Sequence, residues 1–114
     1  MQTEIQKRTN AALIAIKNDF SQSGDETATQ LFVAHHLDEI EASYWQAQLN
    51  SAKPAAESVL DLLVLKVHWA VKAGDIDENG IDTFDFTLPD NVTQYVLSVR
   101  FDETGEIESI DMES

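Results

Sequence analysis

The spacing of apolar residues changes period once along this chain, and the change divides it. In the first half, Ile5, Ala12, Leu13, Ile16 and Phe20 fall on one side of a helix while Glu4, Lys7, Lys17 and Asp19 fall elsewhere. This spacing predicts a helix from about Thr3 to Phe20. Ser21-Gln22-Ser23-Gly24 ends it, with Gly24 free to take positive φ, and Asp25 follows as an N-cap with Glu26 in the first turn. A second helix carries Val33, Leu37, Ile40 and Tyr44, widened at its start by Leu31 and Phe32, and either ends near Ala42 or runs on through Trp45 and Leu49. After the loop Asn50-Ser51-Ala52-Lys53, Pro54 suits a first helical position. A short third helix follows to about Leu63, with Val59, Leu60, Leu62 and Leu63 as its apolar content.

From Leu65 the period becomes two. Leu65, Val67, Trp69 and Val71 alternate with Lys66, His68, Ala70 and Lys72, the pattern of a half-buried strand. Gly74 to Gly80 reads as an acidic connector. A second strand sets Phe84, Phe86 and Leu88 against Thr83, Asp85 and Thr87, and Pro89-Asp90-Asn91 turns the chain. A third directs Tyr95, Leu97, Val99 and Phe101 inward and Gln94, Ser98 and Arg100 outward. Pairing Phe86 with Tyr95 and Phe84 with Leu97 keeps the apolar faces together, whereas a one-residue slip buries Asp85. Asp102-Glu103-Thr104-Gly105 predicts a type I turn with Gly105 left-handed. In the last strand, Glu106 to Met112, Ile110 and Met112 share a face that Ile107 does not, which calls for a bulge or a second contact.

The resulting fold class is α+β. About three N-terminal helices pack on one face of a C-terminal four-stranded antiparallel β-meander, in a single domain 1–114, with helices over about 3–63 and sheet over about 64–112. The covered face is expected to hold Val67, Trp69, Phe84, Phe86, Leu97, Val99 and Phe101. A chain of 114 residues is long enough to bury one core without staples.

Charge adds a second asymmetry. The formal net charge is −14, and from Asp75 to Ser114 twelve acids stand against Arg100 alone, a net of −11. Such a surface repels nucleic acid and anionic membrane. It either keeps a small protein soluble or steers a basic protein partner. There is no cysteine, which excludes disulfides and thiolate chemistry. No apolar run reaches the length of a membrane span, and Met1 to Asn10 lacks the core of a signal peptide. A soluble cytoplasmic protein is expected.

Several stretches resemble a bacterial family known only as domain-of-unknown-function family two-thousand-and-four. They are Phe32-Val33-Ala34-His35-His36-Leu37-Asp38-Glu39-Ile40, Val59-Leu60-Asp61-Leu62-Leu63-Val64-Leu65, and Phe84-Asp85-Phe86-Thr87-Leu88 through Tyr95-Val96-Leu97-Ser98-Val99-Arg100-Phe101-Asp102. The likeness runs on through Gly105-Glu106-Ile107 to Met112-Glu113-Ser114. It implies a small α+β domain and no activity.

Two stretches hold ligand-type residues. In the second helix Glu39 lies one turn from His35 (i+4) and from His36 (i+3), and His68 is a further donor from the sheet. Adjacent histidines diverge by about 100° on a helix, however, and neither a spaced His pair nor cysteine accompanies them. The alternative is one histidine packed against the sheet and the other solvated. Asp75-Ile76-Asp77-Glu78-Asn79-Gly80 sets Asp75, Asp77 and Asn79 at the first three ligand positions of a calcium loop, with Gly80 at the turn. Phe86 stands where the closing Glu belongs, so Asp82 or Asp85 has to substitute. The alternative is a solvated hairpin loop.

No nucleophile elbow, phosphate loop or dinucleotide fingerprint appears, and no cofactor is expected. Tyr44 and Trp45 belong either to the core or to an interface. The first reading is a small acidic, non-enzymatic interaction module for a basic protein partner. The alternative is a calcium or zinc domain on the Asp75–Asp82 loop or the His35/His36/Glu39 cluster, and an enzyme ranks last. Homodimerisation through an open sheet edge or the aromatic end of the second helix also fits the pattern.

Overall fold

The structure, a computed structural model, describes residues 3–21 and 27–113, with every side chain among them but that of Lys72. Helix α1 spans Glu4–Phe20 and is opened by a capping box, in which Thr3 Oγ1 accepts from the Gln6 amide and the Gln6 side chain from the Thr3 amide, each at 3.1 Å. Helix α2, Ala28–Glu39, repeats the device with Thr27 and Gln30. The expected Gly24 stop, the Asp25 cap and Glu26 lie outside the described residues, and Thr27 is the cap the helix uses. The expected second helix is two. Ile40 is extended (φ −91°, ψ 138°), and α3 resumes over Ala42–Leu49 to end on left-handed Asn50. Helix α4 covers only Ala56–Asp61, because Ala55 is still extended (φ −67°, ψ 150°) and keeps Pro54 outside it.

Five strands follow, not four: β1 (Val64–Lys72), β2 (Asp75–Asp77), β3 (Thr83–Thr87), β4 (Val96–Phe101) and β5 (Ile107–Glu113). Their order is β2-β1-β3-β4-β5, with antiparallel neighbours throughout. The acidic connector contains the extra strand. Ala73 (φ 52°) and Gly74 (φ 85°) close a two-residue hairpin between Lys72 and Asp75, and positive φ at both central positions is the type I′ signature.

Register departs from expectation in two ways. Phe84 pairs with Val99 and Phe86 with Leu97, two residues from the predicted pairing. Both phenylalanines stay inward, since an even shift preserves faces. The chain from Leu88 to Tyr95 takes up the difference. It includes a 3-10 turn at Pro89–Asn91, and the Thr87 hydroxyl donates to the Tyr95 carbonyl at 2.8 Å.

The second departure inverts a face. Leu65 pairs with Phe86 but Val67 pairs with Asp85, leaving Lys66 as a bulge residue. Beyond it, His68 and Ala70 point to the core while Val67, Trp69 and Val71 point away, so Val67 and Trp69 are not core residues as the alternation predicted. In β5 the expected bulge is present. Arg100 pairs with Ser109 and Phe101 with Ile107, and the extra residue brings Ile107, Ile110 and Met112 together against the core.

Helices α1 and α2 pack on each other and on β5, α2 also meets β4, and α4 meets α2. Phe84, Phe86, Leu97, Val99 and Phe101 of the sheet bury against Ala12, Ile16, Phe32, Val33, Trp45, Val59 and Leu60. Fully burying each large side chain is worth about 1.5–3 kcal/mol. Arg8 locks α1 to the end of the sheet. Its Nη1 donates to the Ile81 carbonyl at 2.7 Å, its Nε pairs with Glu4 at 3.0 Å, and its guanidinium lies 5.0 Å from the Phe101 ring centre.

Candidate functional site

One face of the sheet is covered by helices, and the other carries the candidate site. Pairing sets Val67, Asp85, Ser98 and Asp111 in one row across that outer face, and Trp69, Thr83, Arg100 and Ser109 in the next. Val71 stands opposite Ile76 at the edge. The face is therefore graded, apolar along β1 and β2 and polar or acidic from β3 to β5. Along the apolar strip, Val67 is 47% exposed, Val71 60% and Ile76 69%. Trp69 is half-buried in its middle, and Asp85 holds it there: the indole N–H donates to Asp85 Oδ2 at 3.2 Å, while the Ser98 hydroxyl donates to Oδ1 at 2.5 Å.

Two of the hollows that adjoin Trp69 frame the strip. One, of about 540 Å³, lies between β1 and the end of β2 and is lined by Val67, His68, Trp69, Ile76 and Glu78. The other, of about 500 Å³, crosses the face past Lys66, Asp85, Ser98, Arg100 and Glu113. Arg100 is exposed there and, among the described residues, makes no ion pair.

The rings of His35 and His36 meet edge-to-face with centroids 5.1 Å apart, while His68 belongs to β1. His36 is buried at 1% exposure, with both ring nitrogens engaged. Nδ1 lies 2.6 Å from the Phe32 carbonyl, which can only accept, so Nδ1 carries the proton. Nε2 therefore accepts from the Thr93 hydroxyl at 2.9 Å. Burial holds the His36 pKa below its usual value, partly offset by the Phe32 bond and reinforced by His35. His35 is half-buried with its ring edge-to-face to Tyr95 at 4.9 Å, and Glu39 is exposed. His68 lies on the core side, donating Nδ1–H to the Gly80 carbonyl at 2.7 Å and stacked on Phe84 at 5.4 Å.

The acids of the Asp75 loop are spread apart. Asp75 and Asp77 belong to an extended strand, which spreads them along an edge where a calcium loop would curl them inward. Asp77 Oδ1 already accepts from the Asn79 amide at 3.0 Å, and Asp82 is exposed beyond the turn. Among the described residues no group of three or more His, Asp or Glu is placed to hold a metal ion.

Tyr44 and Trp45 prove to be packing residues. Trp45 is 1% exposed, and the Tyr44 hydroxyl donates to the Pro89 carbonyl at 3.0 Å. The residues that sequence reasoning missed as surface features are Val67, Trp69 and Ile76. A signal was present in Ile76, an apolar residue inside an acidic connector and two residues past a two-residue Ala73-Gly74 turn. No helix among the described residues is long and apolar enough to cross a membrane. No family model, no curated protein and no solved structure matches the chain.

Proposed function

We propose that the protein is a small acidic interaction module that binds a positively charged protein partner and catalyses no reaction. The observation that carries this reading is the segregation of charge. The stretch that forms the sheet from Asp75 onward has a net charge of −11, with its acids in turns, on the edge strand β2 and on the outer face, while residues 1–74 hold six of the seven Lys and Arg. Attraction over such a surface accelerates encounter with basic partners and repels phosphate backbones. Its strength falls as salt shortens the Debye length from about 10 Å at 0.1 M to about 3 Å at 1 M. Affinity capture at low and high salt tests it. The expected result is enrichment of high-pI proteins that elute with salt, and captured proteins without basic bias, insensitive to salt, would falsify the reading.

A further inference from the structure

The charge explains attraction and leaves unexplained why an apolar strip stays open beside it. Val67, Val71 and Ile76 are each between 47% and 69% exposed, they lie on one face, and Trp69 stands among them with a hollow of about 540 Å³ at its side. An exposed contiguous apolar patch rimmed by polar groups marks an interaction site more often than an isolated exposed residue does. The indole is also fixed before any partner arrives, since Asp85 holds its N–H from the neighbouring strand. A preformed aromatic anchor of this kind loses little rotamer freedom on binding.

We infer that this strip is the docking site for a positively charged amphipathic helix of the partner, laid face-on across β1 and β2. This inference rests on the proposed reading and gives it a location and a form. Charge complementarity selects the occupant. Glu78 borders one hollow, Asp85 and Glu113 share the other with Lys66 and Arg100, and Asp82 lies beside Arg100 beyond Trp69, so four carboxylates against two cations surround the strip and favour lysines or arginines flanking an apolar helix stripe. A second copy of this chain carries −14 itself and brings the same acids against them. Addition of a strand to the edge of β1 is opposed by the Lys66 bulge, a feature that blunts sheet edges. A helix needs no edge. It covers a sheet face through side chains, as α1 and α2 do on the opposite face.

The probes are three synthetic peptides of equal positive charge: a Leu/Lys peptide with helical spacing, the same residues in strict alternation, and a Lys/Ser peptide. Binding is followed by calorimetry and by the two indole N–H resonances of the full chain. The inference expects the helical peptide to bind at least tenfold more tightly than the other two, and to shift the Trp69 resonance while leaving that of buried Trp45. The exposed substitutions Val71→Ser and Ile76→Ser together should weaken it at least tenfold and leave the melting temperature near wild type. Equal binding of all three peptides, unchanged by that double substitution, overturns the docking site while the basic-partner reading stands. Tightest binding by the alternating peptide overturns the helix in favour of an added strand. A wild-type dimer that the double substitution converts to a monomer assigns the strip to a second copy and overturns the inference. Failure of all three peptides to bind at low salt overturns the inference and the basic-partner reading together.

Discussion

Trp69 and Asp85 are joined by a 3.2 Å hydrogen bond across two strands, and the bond exists because a single bulge residue, Lys66, turns Trp69 away from the core. Asp85 also accepts from Ser98, so one carboxylate ties β1 to β3 and β4 on the outer face. Hydrogen bonds to a charged acceptor contribute about 1.5–3 kcal/mol, less where solvent competes. Replacing Asp85 by Ala should therefore cost about 1–2 kcal/mol in urea denaturation, and Asp85→Asn clearly less, because an acceptor oxygen remains. Loss of the Asp85 acceptor should also move the Trp69 indole proton resonance and leave that of Trp45 in place.

Gly80 lies directly against β1. A Cβ at that position would collide with the Ala70 side chain and backbone nitrogen, and would sit 2.9 Å from the Ala70 Cα. Gly80→Ala should destabilise by about 1–3 kcal/mol or more, since the obstacle is backbone and has no rotamer to escape into. Adding Ala70→Gly should recover only part of the loss, because the backbone contacts remain. Chemical denaturation of the three variants checks both expectations.

The hairpin that makes β2 uses Ala73 at φ 52°, a conformation that Asn and Gly adopt more readily. Ala73→Asn should raise stability by about 0.5–1 kcal/mol. The gain should appear as a higher denaturation midpoint with the slope unchanged.

Thr29 is fully buried in α2, and its Oγ1 has no hydrogen-bond partner among the described residues. A buried hydroxyl left unpaired costs about 1–3 kcal/mol. Thr29→Val keeps the shape and removes that cost, so it should stabilise by about 1 kcal/mol in thermal or chemical melts.

His36 sets a pH dependence. Its folded pKa is lowered from 6.5, chiefly by burial, so the native state favours the neutral ring and binds fewer protons than the unfolded chain. The corresponding stability is complete above the unfolded value and is lost as pH falls from there through the lowered folded value. Melting temperature should thus drop as pH falls from neutral through the lowered His36 value, and His36→Gln should flatten that part of the profile. Micromolar zinc should leave the wild-type melting temperature unmoved, because both nitrogens of His36 are already bonded within the chain.

Local sequence determined a good deal of this protein. The switch from helical to alternating spacing placed the helices before the sheet, Phe84, Phe86, Leu97, Val99 and Phe101 marked the covered face, and Gly105 took its left-handed place at φ 86°. The unequal spacing of Ile107, Ile110 and Met112 also announced the bulge in β5. These features were legible because each depends on residues within a few positions of one another. The outer face was not. Alternation assigns Val67 and Trp69 to a side only relative to Leu65, and one unpaired residue at Lys66 reverses everything after it. His36 likewise took its meaning from Thr93, 57 residues away, whose hydroxyl closes the second ring nitrogen. Periodicity is short-ranged, whereas strand register and hydrogen-bond partners are settled between distant segments. Only the tertiary structure could therefore turn a predicted core residue, Trp69, into the centre of an exposed face.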